Sequence, residues 1–207
     1  MFIRATFAAA LLSLACLAQQ PATSAGPTDA AVTDSTYVNN FFHFEYRIPA
    51  GFTDHTADLP EDPHGVTRVL LHLSEPRTRK RGTDSVTLVA DDARYYWHEK
   101  WTAKTGADYL RMVTASIQDR SKPVGAIEEV VIGGRKFYRQ EYDPIYSAYV
   151  HQTMLATVLD GYILTVTFSC DDRLRRQELL SAFQAADFRP ARAGVEAAAF
   201  RADGGSH

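Results

Sequence analysis

The chain has 207 residues, 45% of them hydrophobic and 23% charged, with a formal net charge of −3. That length suits one domain plus a leader, and so mild a charge excludes the strongly basic face that general nucleic-acid binding requires. Two cysteines exclude a disulfide-framed scaffold, so the fold must rest on its apolar core.

Arg4 is the only charged residue before Asp29, and it precedes an apolar run from Ala5 to Leu17. The run is shorter than the roughly 20 apolar residues that span a bilayer. A basic start, a short apolar stretch and a small-residue exit together predict a secretory signal peptide over residues 1–25. Thr23-Ser24-Ala25 places cleavage after Ala25, with Cys16-Leu17-Ala18 as a second candidate. Cys16 also raises lipidation. Ala15 fits the small residue that precedes a lipidated cysteine, whereas Ser13 stands where an aliphatic residue is wanted and Leu12 lies one place further out. A lipid anchor would hold the protein at a membrane surface with no transmembrane span. The expected location is exported, periplasmic or extracellular, with lipid anchoring as the alternative. Cleavage leaves Cys170, which follows an apolar strand and is read as a buried structural thiol. As a nucleophile it would need a base such as His151.

Residues 26–35 are small and polar and read as a flexible leader. Phe42, Phe44, Tyr46 and Ile48 then alternate with polar residues, the pattern of a half-buried strand, and Pro49-Ala50-Gly51 stops it. Residues 67–74 and 85–90 form two apolar strands joined as a hairpin through a charged loop from Glu75 to Asp84. Residues 93–118 read mainly as helix, with Tyr109, Met112, Val113, Ser116 and Ile117 at helical spacing. Gly106 divides it, and Thr105 is placed to cap the second piece. Pro123 and Gly125 predict a break. Strands follow at 127–132, 136–143, 148–159 and 162–168, with turns at Gly133-Gly134 and Asp160-Gly161. The second is a type I′ hairpin signal, because such turns need positive φ at both central residues. A last helix from about Asp172 to Ala186 presents Leu174, Leu179, Leu180 and Phe183, with Asp171 and Asp172 at its N-terminus, where negative charge is favoured. The Ala-, Arg- and Gly-containing tail, residues 190–207, shows no apolar stripe and reads as disordered.

Hairpin-linked strands interrupted by helices predict a single α+β domain over residues 36–189, a mainly antiparallel β-sheet packed with helices. Three segments carry a resemblance to a known superfamily. The first runs from Tyr37 through Phe42, Phe44 and Tyr46 to Pro49, Gly51 and Phe52. The second is Ile132-Gly133-Gly134-Arg135-Lys136-Phe137-Tyr138-Arg139. The third joins the strand Gly161–Phe168 to the closing helix and Phe188. In pattern and element order these resemble Mog1/PsbP-like domains, including the DcrB-type exported bacterial proteins. The resemblance implies an α/β/α sandwich and an accessory or binding role, and it transfers no functional residue.

Tyr95-Tyr96-Trp97-His98-Glu99-Lys100-Trp101 is the most unusual block and no feature of that superfamily. On a helix Trp97 and Trp101, four apart, would share a face. Tyr and Trp join an apolar body to a polar tip, so Tyr95, Tyr96, Trp97 and Trp101 are the candidate ligand- or partner-binding residues, weighed against a role as sheet-capping core. Arg79, Lys80 and Arg81, within Arg77–Arg81, form a basic patch that could attract an anion or simply be a solvated turn. Of the seven histidines, His43, His55, His64, His72, His98 and His151 are scattered without the spacing of a metal site, although His72 and His151 lie on strands that could converge. Asp91-Asp92 and Glu128-Glu129 point to opposite faces of their strands. The sequence has no Gly-x-Ser-x-Gly, His-Glu-x-x-His, Gly-Lys-Ser/Thr or Gly-x-Gly-x-x-Gly motif.

No catalytic residue, metal ligand or cofactor is therefore assigned. The expected function is an exported, non-catalytic accessory or binding module of the bacterial cell envelope, taking an unknown protein or small ligand. The alternative is an envelope hydrolase whose active site joins a nucleophile or acid pair to His72 or His151.

Overall fold

A computed structural model describes residues 26–76, 83–98, 101–146, 150–170 and 172–188. The chain opens with β1 (Ala30–Thr33), β2 (Thr36–Asn39), β3 (Phe44–Arg47) and β4 (Thr53–Asp54). The hairpin β5 (Thr67–Pro76) and β6 (Thr83–Asp92) follows, then the two-residue strands β7 (Trp97–His98) and β8 (Trp101–Thr102), and helix α1 (Gly106–Ile117). Strands β9 (Ser121–Ile132), β10 (Arg135–Pro144), β11 (Gln152–Leu159) and β12 (Tyr162–Ser169) form a meander, closed by α2 (Arg173–Gln184) and β13 (Asp187–Phe188).

The strands pair antiparallel throughout, in a seven-stranded sheet of order β4-β5-β6-β12-β11-β10-β9, a four-stranded sheet β1-β2-β3-β13 and the small pair β7-β8. The fold is α+β. Alternation on the central strand separates two cores. Leu164, Val166 and Phe168 join Leu73, Val86 and Leu88, the α2 residues Leu179 and Phe183, Phe44 and Tyr46 from the small sheet, and Phe42 from the turn before β3. Ile163 faces the other way, with Ala93, Ala103, Tyr109 and Met112. The large sheet is thus sandwiched between α1 on one face and α2 with the small sheet on the other. Each fully buried side chain of this size contributes about 1.5–3 kcal/mol, so the first, larger cluster dominates stability.

Local chemistry explains most boundaries. Asp160 (φ 50°) and Gly161 (φ 82°) make the expected hairpin turn, and Gly133 and Gly134 (φ 53° and 78°) make another. The Thr105 hydroxyl accepts the Asp108 backbone N–H while the Asp108 carboxylate accepts the Thr105 N–H, so α1 starts with a capping box where the sequence placed its cap. Asp172 caps α2 by accepting the N–H groups of Leu174 and Arg175.

Five expectations need correction. Residues 26–35, read as a flexible leader, contain β1, because Asp34 and Ser35 both adopt positive φ and fold it onto β2. The alternating apolar residues close into two sheets rather than one, since β3 pairs with β2 and β13 and not with the large sheet. Pro123 and Gly125 do not end a strand. They lie inside β9, an edge strand on which a residue lacking N–H is tolerated. Gly125 (φ 71°) sits where the register slips against Gln140, whose amide donates to the Val124 and Glu141 carbonyls. Leu174 is 71% exposed rather than buried; nine residues from Phe183 at about 100° each, it projects from the opposite side of α2. Finally, the helix predicted over residues 93–118 is three elements: a 3-10 turn Ala93–Tyr96, the β7-β8 pair, and α1.

Candidate functional site

That last correction changes the aromatic block. Trp97 pairs with Thr102 and Trp101 with His98 in a two-stranded hairpin, so the tryptophans share no helical face. A four-residue interval between two aromatics is compatible with either state. The aromatic and Thr content favours strand, and the capping box at Thr105 lets the helix begin only after it.

Tyr95 and Tyr96 end the 3-10 turn, which is held by the Ala93 N–H donating to the Gly161 carbonyl. Their rings meet edge to face at 5.4 Å, and Tyr96 meets Tyr109 of α1 in the same way at 5.7 Å. Tyr95 remains 59% exposed. Between this turn and the helix lies a groove of about 610 Å³ lined by Tyr95, Tyr96, Tyr109, Met112 and Val113, apolar over most of its surface. Tyr109, Met112 and Val113 sit at the helical spacing read from the sequence, but they are only half-buried. The deepest contacts of α1 are Gly106, Ala107 and Leu110, together with a hydrogen bond between the Thr114 and Tyr142 hydroxyls.

Beneath the groove is a residue that the sequence reading treated only as half of an acidic pair. Asp91 is 3% exposed. The Thr67 hydroxyl donates to its Oδ1 at 2.6 Å and the Tyr109 hydroxyl to its Oδ2 at 2.9 Å. Burial pushes the Asp91 carboxyl up, against the smaller opposing effect of the two hydroxyls. The Tyr109 phenol is raised by burial and then by the Asp91 charge, and the Tyr96 phenol is pushed to about 12 for the same two reasons. Both phenols are held in their protonated forms, so the tyrosines act as donors rather than bases. Asp92 points away, as alternation predicted, and its carboxylate takes both Nε and Nη2 of Arg94. The period-two rule that separated the acids also implies that one of them turns inward, which was the available signal for Asp91.

The other candidates are dispersed. Arg79, Lys80 and Arg81 lie outside the described residues, as do Cys16, residues 1–25 and residues 190–207. His72 and His151 do not converge, because β6 and β12 lie between β5, which carries His72, and β11, which His151 immediately precedes. The His72 Nδ1 bonds the Thr87 hydroxyl at 2.9 Å, and burial lowers its pKa first, with His55 adding to the effect. The His151 Nδ1 bonds Asp143 at 2.7 Å. Cys170 is fully buried, its thiol donating to the Asp172 carbonyl. Among the described residues no group of three His, Cys, Asp or Glu side chains is placed to hold a metal ion, and no helix is long and apolar enough to cross a membrane.

No protein-family model and no curated protein matches the chain. Among solved structures it is similar to LpqN, involved in cell envelope biogenesis of Mycobacterium tuberculosis, at 9% identity and a TM-score of 0.45, over 71% of this chain and 83% of that one. It is also similar to the cyanobacterial PsbP (CyanoP) of Synechocystis sp. PCC 6803, at 14% identity and a TM-score of 0.49, over 82% of this chain and all of that one.

Proposed function

We propose that the chain is an exported, non-catalytic binding module of the cell envelope and that it takes a largely apolar ligand in the groove between Tyr95, Tyr96 and α1. The observation that carries this reading is the groove itself. Its volume of about 610 Å³ falls in the range of small-molecule sites, roughly 300–1,000 Å³. Tyr95 meets Tyr96 edge to face and Tyr96 meets Tyr109 in the same way, and the Tyr109 hydroxyl is fixed by Asp91, so the rings are positioned before any ligand arrives. Rigid aromatic walls lose little conformational entropy on binding. Export is supported by the N-terminal pattern of Arg4, the Ala5–Leu17 apolar run and the small-residue exit at Ala25.

The test uses the neutral apolar dye N-phenyl-1-naphthylamine on the full chain. Its fluorescence should rise on binding, and Met112→Glu, which places a charge in the groove, should abolish most of that rise. Leu174→Glu, on an exposed apolar position of α2, should leave it unchanged. Equal dye binding by wild type and M112E, with both folded by circular dichroism, would remove the groove from the account.

A further inference from the structure

A larger cavity, about 1070 Å³, lies elsewhere and shares no lining residue with the tyrosine groove. It opens between two sheet edges. One wall is β1, the outer strand of the four-stranded sheet, which contributes Ala30, Ala31 and Val32; the other is formed by β4, the connection after it, and β5. Among the described residues β1 pairs only with β2, so its second edge is open along the cavity.

The charges in this cavity are of both signs. Arg68 of β5 lines it; its guanidinium lies 6.0 Å from the centre of the Tyr162 ring, its Nη1 is enclosed, and among the described residues no carboxylate is paired with it. The guanidinium N–H groups that remain accessible suit a planar carboxylate. The neighbouring acids do not meet it. Asp62 accepts the backbone N–H groups of His64, Val66 and Thr67, Asp54 accepts the backbone N–H and hydroxyl of Thr56, and Asp92 is taken by Arg94. Asp54, Glu61 and Asp62 nevertheless line the cavity together with Arg68, so its rim carries three acidic residues and one guanidinium. A simple anion drawn to Arg68 would be repelled by that acidic rim. A ligand carrying a carboxylate and an ammonium group satisfies both.

We infer that this cavity binds the zwitterionic ends of a short peptide, the C-terminal carboxylate on Arg68 and the N-terminal ammonium toward Asp54, Glu61 and Asp62, with the peptide backbone along the open edge of β1. Three features agree on a peptide rather than a free amino acid. The space far exceeds one residue, an exposed strand edge is a recurring way of recognising extended peptide backbone, and Ala30, Ala31, Val32, Leu59 and Leu70 offer apolar surface for side chains.

Isothermal titration of the full chain with trialanine tests this directly. Trialanine with free termini should bind, C-terminal amidation should weaken it about tenfold or more, and N-acetylation should weaken it to a lesser degree. Arg68→Gln should bind the free and amidated peptides alike. Hexanoate, an anion without the ammonium, should bind more weakly than trialanine. The inference is overturned if wild type ignores trialanine, binds the three peptides equally, or prefers hexanoate. The peptide comparisons on wild type decide the matter even if R68Q folds poorly. The dye experiment on the tyrosine groove reads a different site, so either reading can fail alone.

Discussion

The Tyr109 hydroxyl reaches across from α1 to Asp91 on β6 and donates to Oδ2 at 2.9 Å, while Thr67 holds the other oxygen. Among the described residues Asp91 has no cationic partner, so its charge is stabilised by neutral hydroxyls alone. Burial dominates and raises its folded pKa. The native state therefore keeps this proton to higher pH than the unfolded chain, in which an ordinary Asp titrates near about 3.9. Stability from this group is full below that unfolded value and is lost as pH rises through the folded one. Asp91→Asn keeps the shape, accepts one hydroxyl and donates to the other, and does not ionise. The melting temperature of D91N should gain on wild type as pH rises from about 4 toward neutrality, and at pH 7 the variant should be at least as stable. A difference that stays constant across a pH series would sink this account of Asp91.

Gly106 has negative φ and stands at the start of α1, where alanine would ordinarily be the better helix former. Here a Cβ would meet the Ala156 carbonyl oxygen at 2.1 Å and its carbon at 2.5 Å. Both are backbone atoms of β11 and cannot rotate away, so the helix would have to lift off the sheet. Gly106→Ala should destabilise by about 1–3 kcal/mol, the usual cost of overpacking. Urea unfolding measures it, and a neutral or stabilised variant would mean that α1 is less tightly seated.

This contact also shows which parts of the fold the sequence made legible. Short-range chemistry was readable: Thr105 with Asp108, Asp160 with Gly161, and the Phe42, Phe44 and Tyr46 alternation each declare themselves within a few residues. What was not readable depends on distant partners. Gly106 appeared only as a divider, because its need to be small is set by Ala156, fifty residues on. Pro123 and Gly125 looked like breakers because the bulge that accommodates them is completed by Gln140 of another strand. Leu174 and Phe183 were assigned to one stripe without regard to the half turn between them. In the candidate site, Tyr95 and Tyr96 stood out by composition, whereas Asp91 required knowing that α1 lies over that side of β6. Arg68 was invisible for the same reason, since its cavity exists only where the two sheet edges meet.

Arg175 ties α2 to the rest of the molecule. Its Nη2 meets Glu75 of β5 at 2.5 Å, its Nη1 meets Glu178 at 3.1 Å, and its guanidinium lies 5.4 Å from the centre of the Phe52 ring. The Arg175 and Glu75 side chains are each about one-third exposed, so solvent screens the pair and it should contribute no more than about 1 kcal/mol. The ring contact adds about 0.5–1 kcal/mol. Arg175→Lys keeps the charge but loses the fork and the planar stacking, so it should recover less than half of what Arg175→Ala removes. A double-mutant cycle with Glu75→Gln isolates the ion pair. A coupling indistinguishable from zero would leave the Phe52 contact and the Glu178 pair to account for what Arg175→Ala removes.

Cys170 provides a readout for both the core and the leader. The sequence holds two cysteines, Cys16 and Cys170. Cys170 follows β12, is 0% exposed and donates its thiol hydrogen to the Asp172 carbonyl at 3.3 Å. A thiol so enclosed presents little thiolate to a reagent, so the folded protein recovered from its producing cells should leave Ellman's reagent almost uncoloured. Denaturation should then release one thiol per chain, because removal of residues 1–25 takes Cys16 with it, and the intact mass should correspond to a start at Gly26 with a free amine. Two thiols on denaturation would mean that the leader is retained, against the signal-peptide reading. One thiol together with a mass that includes residues 16–25 and an added lipid would replace cleavage after Ala25 with anchoring at Cys16. Rapid reaction of the folded protein would place Cys170 at the surface and contradict the packing of β12 against α2.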